Sequence, residues 1–420
     1  MFMYTLCMKK QKADFQNFCE HNKLKCRGCV LVQESAIGIF DFIAKHNLRF
    51  EDGEVRPIKQ LPEQEIMGMT ELATLASDEH NNFLESENSE WNDDPTSKVD
   101  PYHALIFSQI LMHLPGEGNI MGNFLGFISW RNFCHLDKRE EEGYGWASGI
   151  YHTTKWADIV FAADNREDLD PTFLEDAIQC IIYMLQDFRF AEHNLSSKIA
   201  NSLTESFMFT LEDFMFRILN SIPENQVIEG IKFASIIFDD LSKQAREGML
   251  NLSPDAAFRF HHAFAQLMIG KAMMQWSIKT ATTENLSGEQ IELMKKVQYE
   301  PKNIESTTEL IAKAYQNLTR AANCAQTNLN DYLRKAKIEL EIAHVWYLFS
   351  GLDFSEFAEL HHLKEHFGRA KDIFSRANYE LGVTVCDRWW AYYIDDKIEY
   401  DRLADATPPL HVFFAKCELR

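Results

Sequence analysis

The chain has 420 residues, 46% apolar and 25% charged, with 31 Phe and 8 Trp. That is enough bulky material for two or three cores or one extended helical array, and it excludes wholesale disorder. Its 63 acids against 42 Lys and Arg give a formal charge of −21, which repels phosphate backbones and anionic membrane surfaces and favours a protein partner with a basic face.

Other broad classes fall away on the same evidence. No run of about 18 apolar residues is present to span a membrane. No basic, aromatic-interleaved patch is present to bind nucleic acid, since the longest basic cluster is Lys9, Lys10 and Lys12. Nine cysteines at irregular spacing point to a reducing, cytoplasmic setting, and the short apolar start at residues 1–8 precedes the lysines, unlike an export signal.

In chain order, residues 1–76 read as a small mixed α/β region. Residues 13–21 and 36–46 are helix-like, and Asp52-Gly53 suits a two-residue hairpin turn that sets Phe50 opposite Val55. The same region holds Cys19, His21, Cys26 and Cys29, four ligand types within eleven residues with a Cys-x-x-Cys around Gly28, the shape of a zinc knuckle. No cofactor is expected: the cysteines read as reduced thiols at the edge of a small domain, with zinc at these four residues as the alternative.

Residues 77–101 carry eight acids against the single Lys98 and read as an acidic linker. Asp100-Pro101 then supplies an N-cap and a first-turn proline for a helix over 102–113. The rest of 102–170 is predicted as a glycine- and aromatic-rich irregular region, with Gly143-Tyr144-Gly145-Trp146 as a loop. Pro115 to Gly122 lacks the Gly-Lys-Ser/Thr ending of a phosphate loop and follows a helix, so it reads as a loop or a close helix contact.

From 171 to 420 helical periodicity dominates, as in Leu174, Ala177, Ile181, Leu185 and Phe188 or Leu203, Phe207, Leu211, Phe214 and Ile218. Caps punctuate the pattern. Ser253-Pro254 opens one helix, Ser306 with Glu309 has capping-box spacing, and Asn330 precedes a stripe of Leu333, Ala336, Leu340, Ala343 and Tyr347.

Phe367, Ala370, Phe374 and Ala377 repeat a bulky-small-aromatic-small spacing, with Phe354, Phe357, Ala358 and His361 before them. This hairpin, over residues 354–381, resembles a tetratricopeptide unit. A second parse takes residues 333–350 as the first helix and 355–381 as a long second one. The resemblance implies a groove that docks a peptide or a partner helix, and it makes Phe354, His361, Trp389, Trp390 and Tyr393 candidate partner-binding residues. Adjacent aromatics on one helix point in different directions, so at least half of Trp389, Trp390, Tyr392 and Tyr393 belong in the core.

Catalytic motifs are sparse. Glu341-x-x-His344 and Glu359-x-x-His362 have the carboxylate-imidazole spacing of metal sites in helix bundles, with Glu205 or Glu212 as further ligands. His261-His262 beside Arg259 offers a base or a buried hydrogen-bonded pair, and Cys134 with a distant His and Asp offers a hydrolase. The expected fold is therefore mainly α, an irregular tetratricopeptide-like array of helical hairpins behind a small mixed region containing a β-hairpin. The expected function is non-catalytic: an adaptor or regulatory protein that binds a protein partner, or forms a homodimer, through its helices. The alternative is a helical metal-dependent enzyme or a zinc-knuckle adaptor.

Overall fold

The computed structural model describes residues 27–51, 54–56, 64–71, 99–112, 117–164, 173–220, 224–247, 250–281, 306–348 and 361–407, together with the single positions 13, 62, 75 and 96. The chain divides into two compact units, one formed by Met1–Asn165 with Gln179–Ser206 and the other by Arg166–Ile178 with Phe207–Arg420. Both are built mainly from α-helices.

In the first unit, α1 (Arg27–Lys45) buries Ile39, Phe40, Phe42 and Ile43 and ends where Asn47 adopts φ 52°. The Leu48 amide reaches back to the Ile43 carbonyl at 3.0 Å, a left-handed stop in which Asn takes the place of Gly. Two short strands follow, β1 (Arg49–Glu51) and β2 (Glu54–Arg56), antiparallel with Phe50 paired to Val55, the register expected from the sequence. Asp52 and Gly53 themselves lie outside the described residues.

Asp100 caps α2 (Pro101–Met112), its Oδ1 accepting from the amides of Tyr102 and His103 at 3.0 and 3.2 Å. Of the expected acidic linker, residues 77–95 lie outside the described residues, but its last part is fastened into this unit. Asn132 Nδ2 donates to the carbonyls of Thr96 and Val99, both at 2.8 Å, and Arg131 donates to Thr96 Oγ1 at 2.6 Å.

The irregular region expected over 114–149 is instead helical: α3 (Glu117–His135) and α4 (Glu142–Asp164) account for most of it. The glycines misled the reading because they serve close packing here, where backbones approach too tightly for a side chain. A Cβ on Gly143 would lie 2.5 Å from the rings of Phe133 and Tyr102, and one on Gly145 would lie 2.1 Å from Ile199 Cγ2. Gly38, inside α1, has no atom from elsewhere among the described residues within 4 Å of its would-be Cβ. Opposite results are expected in urea unfolding: Gly145→Ala destabilises by about 1–3 kcal/mol through overpacking, whereas Gly38→Ala stabilises by about 0.5–1 kcal/mol through helix propensity. A loss at both positions would contradict the packing account.

Two long helices, α5 (Phe173–Asn194) and α6 (Ser197–Asn220), each contribute residues to both units. In the second unit α7 (Glu224–Arg246) precedes α8 (Pro254–Ala281), whose first turn is held by the Ser253 hydroxyl accepting from the Ala256 amide at 3.3 Å. The capping box at the start of α9 (Thr307–Asn323) forms in full: Ser306 Oγ accepts from the Glu309 amide at 3.2 Å, and Glu309 Oε2 accepts from the Ser306 amide at 2.6 Å.

At α10 (Tyr332–Leu348) the cap is Asp331, which accepts from the Arg334 amide at 3.0 Å, and not Asn330, which takes the left-handed turn at φ 53°. Ala336, Leu340 and Ala343 are buried as their stripe predicts, but Leu333 is exposed, and the side chain of Tyr347 lies outside the description. Next comes α11 (His361–Arg376), which stops at Asn378, again left-handed at φ 53°, with the Tyr379 amide bonded to the Phe374 carbonyl at 2.9 Å. Ala377 therefore falls past the helix end and is exposed, whereas Phe367, Ala370 and Phe374 are buried. Helix α12 (Glu380–Tyr393) and the short α13 (Lys397–Arg402) complete the unit. From α7 to α13 each helix packs on its sequence neighbours, the arrangement of a helical array.

Candidate functional site

Phe367, Ala370 and Phe374 of α11 form one cluster with Ala336, Leu340 and Ala343 of α10 and Val385 and Cys386 of α12. Against this cluster pack Trp389, Trp390 and Tyr393, each partly buried. Trp390 and Tyr393 set their rings against Phe367, with centroids 5.6 and 5.2 Å away, and the Tyr393 hydroxyl donates to His344 Nδ1 at 2.7 Å. Burial lowers the His344 pKa to about 4, so its imidazole is neutral and can accept that proton.

Outside these anchors lies an exposed apolar edge. Tyr392 is 44% exposed, Ile394 54% and Ile398 85%, within seven residues of one another. The edge has a firm base: Tyr392 packs on Tyr400 with centroids 5.4 Å apart, and the Arg388 guanidinium lies 4.6 Å over the Tyr400 ring while donating to Thr407 Oγ1 at 2.8 Å. Of the residues the sequence singled out for partner binding, Trp389, Trp390 and Tyr393 come together here. Phe354 lies outside the described residues, as does the side chain of His361 at the start of α11. The proposed zinc ligands Cys19, His21 and Cys26 also lie outside, and Cys29 falls within α1 with its side chain undescribed.

The sequence reading missed Ile394 and Ile398, and named Tyr392 only among four aromatics of which at least half belong in the core. The available signal was Asp395-Asp396 directly after a helical stripe, a stop that interrupts the buried face between Ile394 and Ile398. Asp395 does take the left-handed conformation at φ 59°, and Asp396 caps α13 by accepting from the Glu399 amide at 3.1 Å.

Of the buried polar networks that hold the helices, two gather their partners around one group. In the first unit the Asp187 carboxylate of α5 accepts four hydrogen bonds: from Tyr144 Oη at 2.5 Å, Ser148 Oγ at 2.6 Å, His152 Nε2 at 2.9 Å and Trp130 Nε1 at 2.9 Å. Burial pushes this carboxyl up, yet the bonds from His152, Ser148 and Tyr144 hold it below the usual aspartate value. Ser148 and His152 both donate to the one carboxylate, so the group ties α3, α4 and α5 together and lacks the serine-to-histidine relay of a hydrolytic triad. Cys134 lies beside it, and burial raises its thiol above the usual range, the opposite of an activated nucleophile.

In the second unit His262 of α8 sits between two carboxylates, Nδ1 to Glu212 of α6 at 2.5 Å and Nε2 to Glu341 of α10 at 2.7 Å. A neutral imidazole has one N–H, so two carboxylate contacts require the imidazolium. Burial disfavours that charge, but Glu341 and Glu212 override it and hold the His262 pKa well above 6.5. Gln266 also donates to Glu341, Arg259 pairs with Glu212 at 2.6 Å and Asp255 at 2.7 Å, and Arg334 pairs with Asp255. Arg334 also reaches Asp331 at 3.4 Å, so each of the two largely buried carboxylates, Glu212 and Glu341, faces protonated His262, and the more exposed Asp255 and Asp331 face Arg259 and Arg334. Glu212, which the sequence joined to that metal-site reading only by assumption, and Glu341 meet on His262, while His344 turns to Tyr393. Glu359 lies outside the described residues.

No family model matches the chain, and no curated protein matches it. Among solved structures it is similar to a "Circular tandem repeat protein with novel repeat topology and enhanced subunit contact surfaces", with 11% identity and a TM-score of 0.32 over 95% of this chain and 86% of that one. Among the described residues no helix is long and apolar enough to cross a membrane.

Proposed function

We propose that the chain is a non-catalytic adaptor or regulatory protein that docks a protein partner on the edge formed by α12 and α13, at the end of a tetratricopeptide-like array. The observation that carries this reading is the exposure of Tyr392, Ile394 and Ile398 on a base fixed by Trp389, Trp390, Tyr393 and Tyr400. Rigid aromatic anchors beside exposed aliphatics are what binding hot spots are made of. Of the nine cysteines, the four whose side chains are described, Cys134, Cys180, Cys324 and Cys386, are free thiols, in keeping with the reducing, cytoplasmic setting proposed.

Affinity capture with the full chain tests the reading. Ile398→Asp is expected to weaken capture of a stoichiometric partner at least tenfold while leaving the thermal unfolding midpoint unchanged, because that side chain is 85% exposed. A partner captured equally by the variant would place docking elsewhere.

A further inference from the structure

The apolar edge is framed by acids. Between Tyr392 and Ala406 the chain has Asp395, Asp396, Glu399, Asp401 and Asp405 against Lys397 and Arg402. Arg402 is already engaged, bonding both oxygens of Glu399 at 2.5 and 2.6 Å. Asp395, Asp396, Asp401 and Asp405 are exposed. Among the described residues, the side chains of Asp395, Asp401 and Asp405 have no cationic partner. In sequence Ile398, 85% exposed, lies between Asp395-Asp396 and Asp401.

Charge decides among the occupants an apolar edge could take. A second copy would bring the same acids against these, and like charges brought together at an interface oppose docking. An anionic lipid surface or a nucleic acid is repelled by the same field, which the overall charge of −21 reinforces. A cationic segment is attracted, and the edge supplies apolar contacts for it to bury.

Resting on the reading of this edge as a docking surface, we infer that its partner is a basic amphipathic segment. Its apolar side chains seat against Tyr392, Ile394 and Ile398, and its lysines or arginines face Asp395, Asp396, Asp401 and Asp405. The aspartates select the sign of charge and speed encounter, while the isoleucines and Tyr392 provide the buried contact.

The probes are two fluorescein-labelled helical peptides with the same leucine stripe, one with lysine and one with glutamate at every polar position, read by anisotropy with the full chain. The lysine peptide is expected to bind, more weakly at about 0.15 M salt than at low salt because screening shortens the reach of the aspartates. The glutamate peptide is expected to bind at least tenfold more weakly. Asp401→Lys with Asp405→Lys is expected to weaken the lysine peptide severalfold. Ile398→Asp is expected to weaken it at least tenfold even though the substitution adds a negative charge.

Equal binding of the lysine peptide by Ile398→Asp would mean diffuse charge attraction and overturn the inference. So would binding of neither peptide, equal binding of both, or self-association of the chain that Ile398→Asp abolishes. Loss of the captured protein partner in the surface variant together with equal binding of both peptides would overturn only the basic character of the partner. Retention of the captured partner by that variant would overturn the docking edge itself.

Discussion

His262→Leu is expected to cost about 3–5 kcal/mol of stability, because it strands two carboxylates, Glu212 and Glu341, in a buried site with one counter-charge fewer. The triple change Glu212→Gln, His262→Leu, Glu341→Leu is expected to cost less than the single one, since it removes the stranded charges along with the imidazolium and leaves Arg259 its bond to Asp255. Urea unfolding followed by circular dichroism at pH 6 checks the order. A triple variant less stable than the single would show that the imidazolium does not offset those charges.

The same group predicts a pH dependence. Burial disfavours protonated His262 but its two carboxylates raise the folded pKa well above 6.5. Its contribution is therefore fully present below about 6.5 and is lost as pH rises through the folded value. Glu212 works in the other direction: burial raises its pKa, but His262 and Arg259 pull it below 4.5, so its contribution is present above 4.5 and is lost as pH falls through the folded value. Stability from this network should be greatest between about 4.5 and 6.5, and His262→Leu should lack the alkaline decline. An unchanged alkaline slope in that variant would refute the assignment.

Asp187→Ala is expected to be comparably severe, about 3–5 kcal/mol, for a different reason. The lost carboxylate is the common acceptor for Trp130, Tyr144, Ser148 and His152, and removing it leaves four buried or half-buried donors without that acceptor. Tyr144→Phe removes one donor and is expected to cost about 1.5–3 kcal/mol, the usual worth of a hydrogen bond to a charged group. Because the folded Asp187 carboxyl is held below its ordinary 3.8, its contribution is present above that value and is lost as pH falls through the folded one. Acid titration of the unfolding free energy should show a shallower loss in Asp187→Ala than in the unsubstituted chain. Equal acid sensitivity in both would remove Asp187 from that role.

What the sequence determined by itself is local. Asp100, Ser253 and the Ser306–Glu309 pair could be read as helix starts because each cap acts within three residues. The pairing of Phe50 with Val55 followed from turn length alone. Stripes such as Phe367, Ala370 and Phe374 were legible because one helix face is buried and the rest is not.

Tertiary structure decided the rest. The helices α2, α3 and α4 bury residues on several faces, so periodicity faded there and glycines needed for close packing resembled a loop. Which carboxylate meets which histidine was likewise not written locally: His262 finds Glu212 across 50 residues and Glu341 across 79. Charges so far apart in sequence are brought together only when the helices pack, and the pairing that results gives each largely buried carboxylate, Glu212 and Glu341, a cationic partner. The exposed edge at Tyr392, Ile394 and Ile398 has the same origin. The left-handed turn at Asp395 ends the helix between Ile394 and Ile398, both of which face solvent while Leu403 further on is buried, and no property of those side chains alone distinguishes them from core.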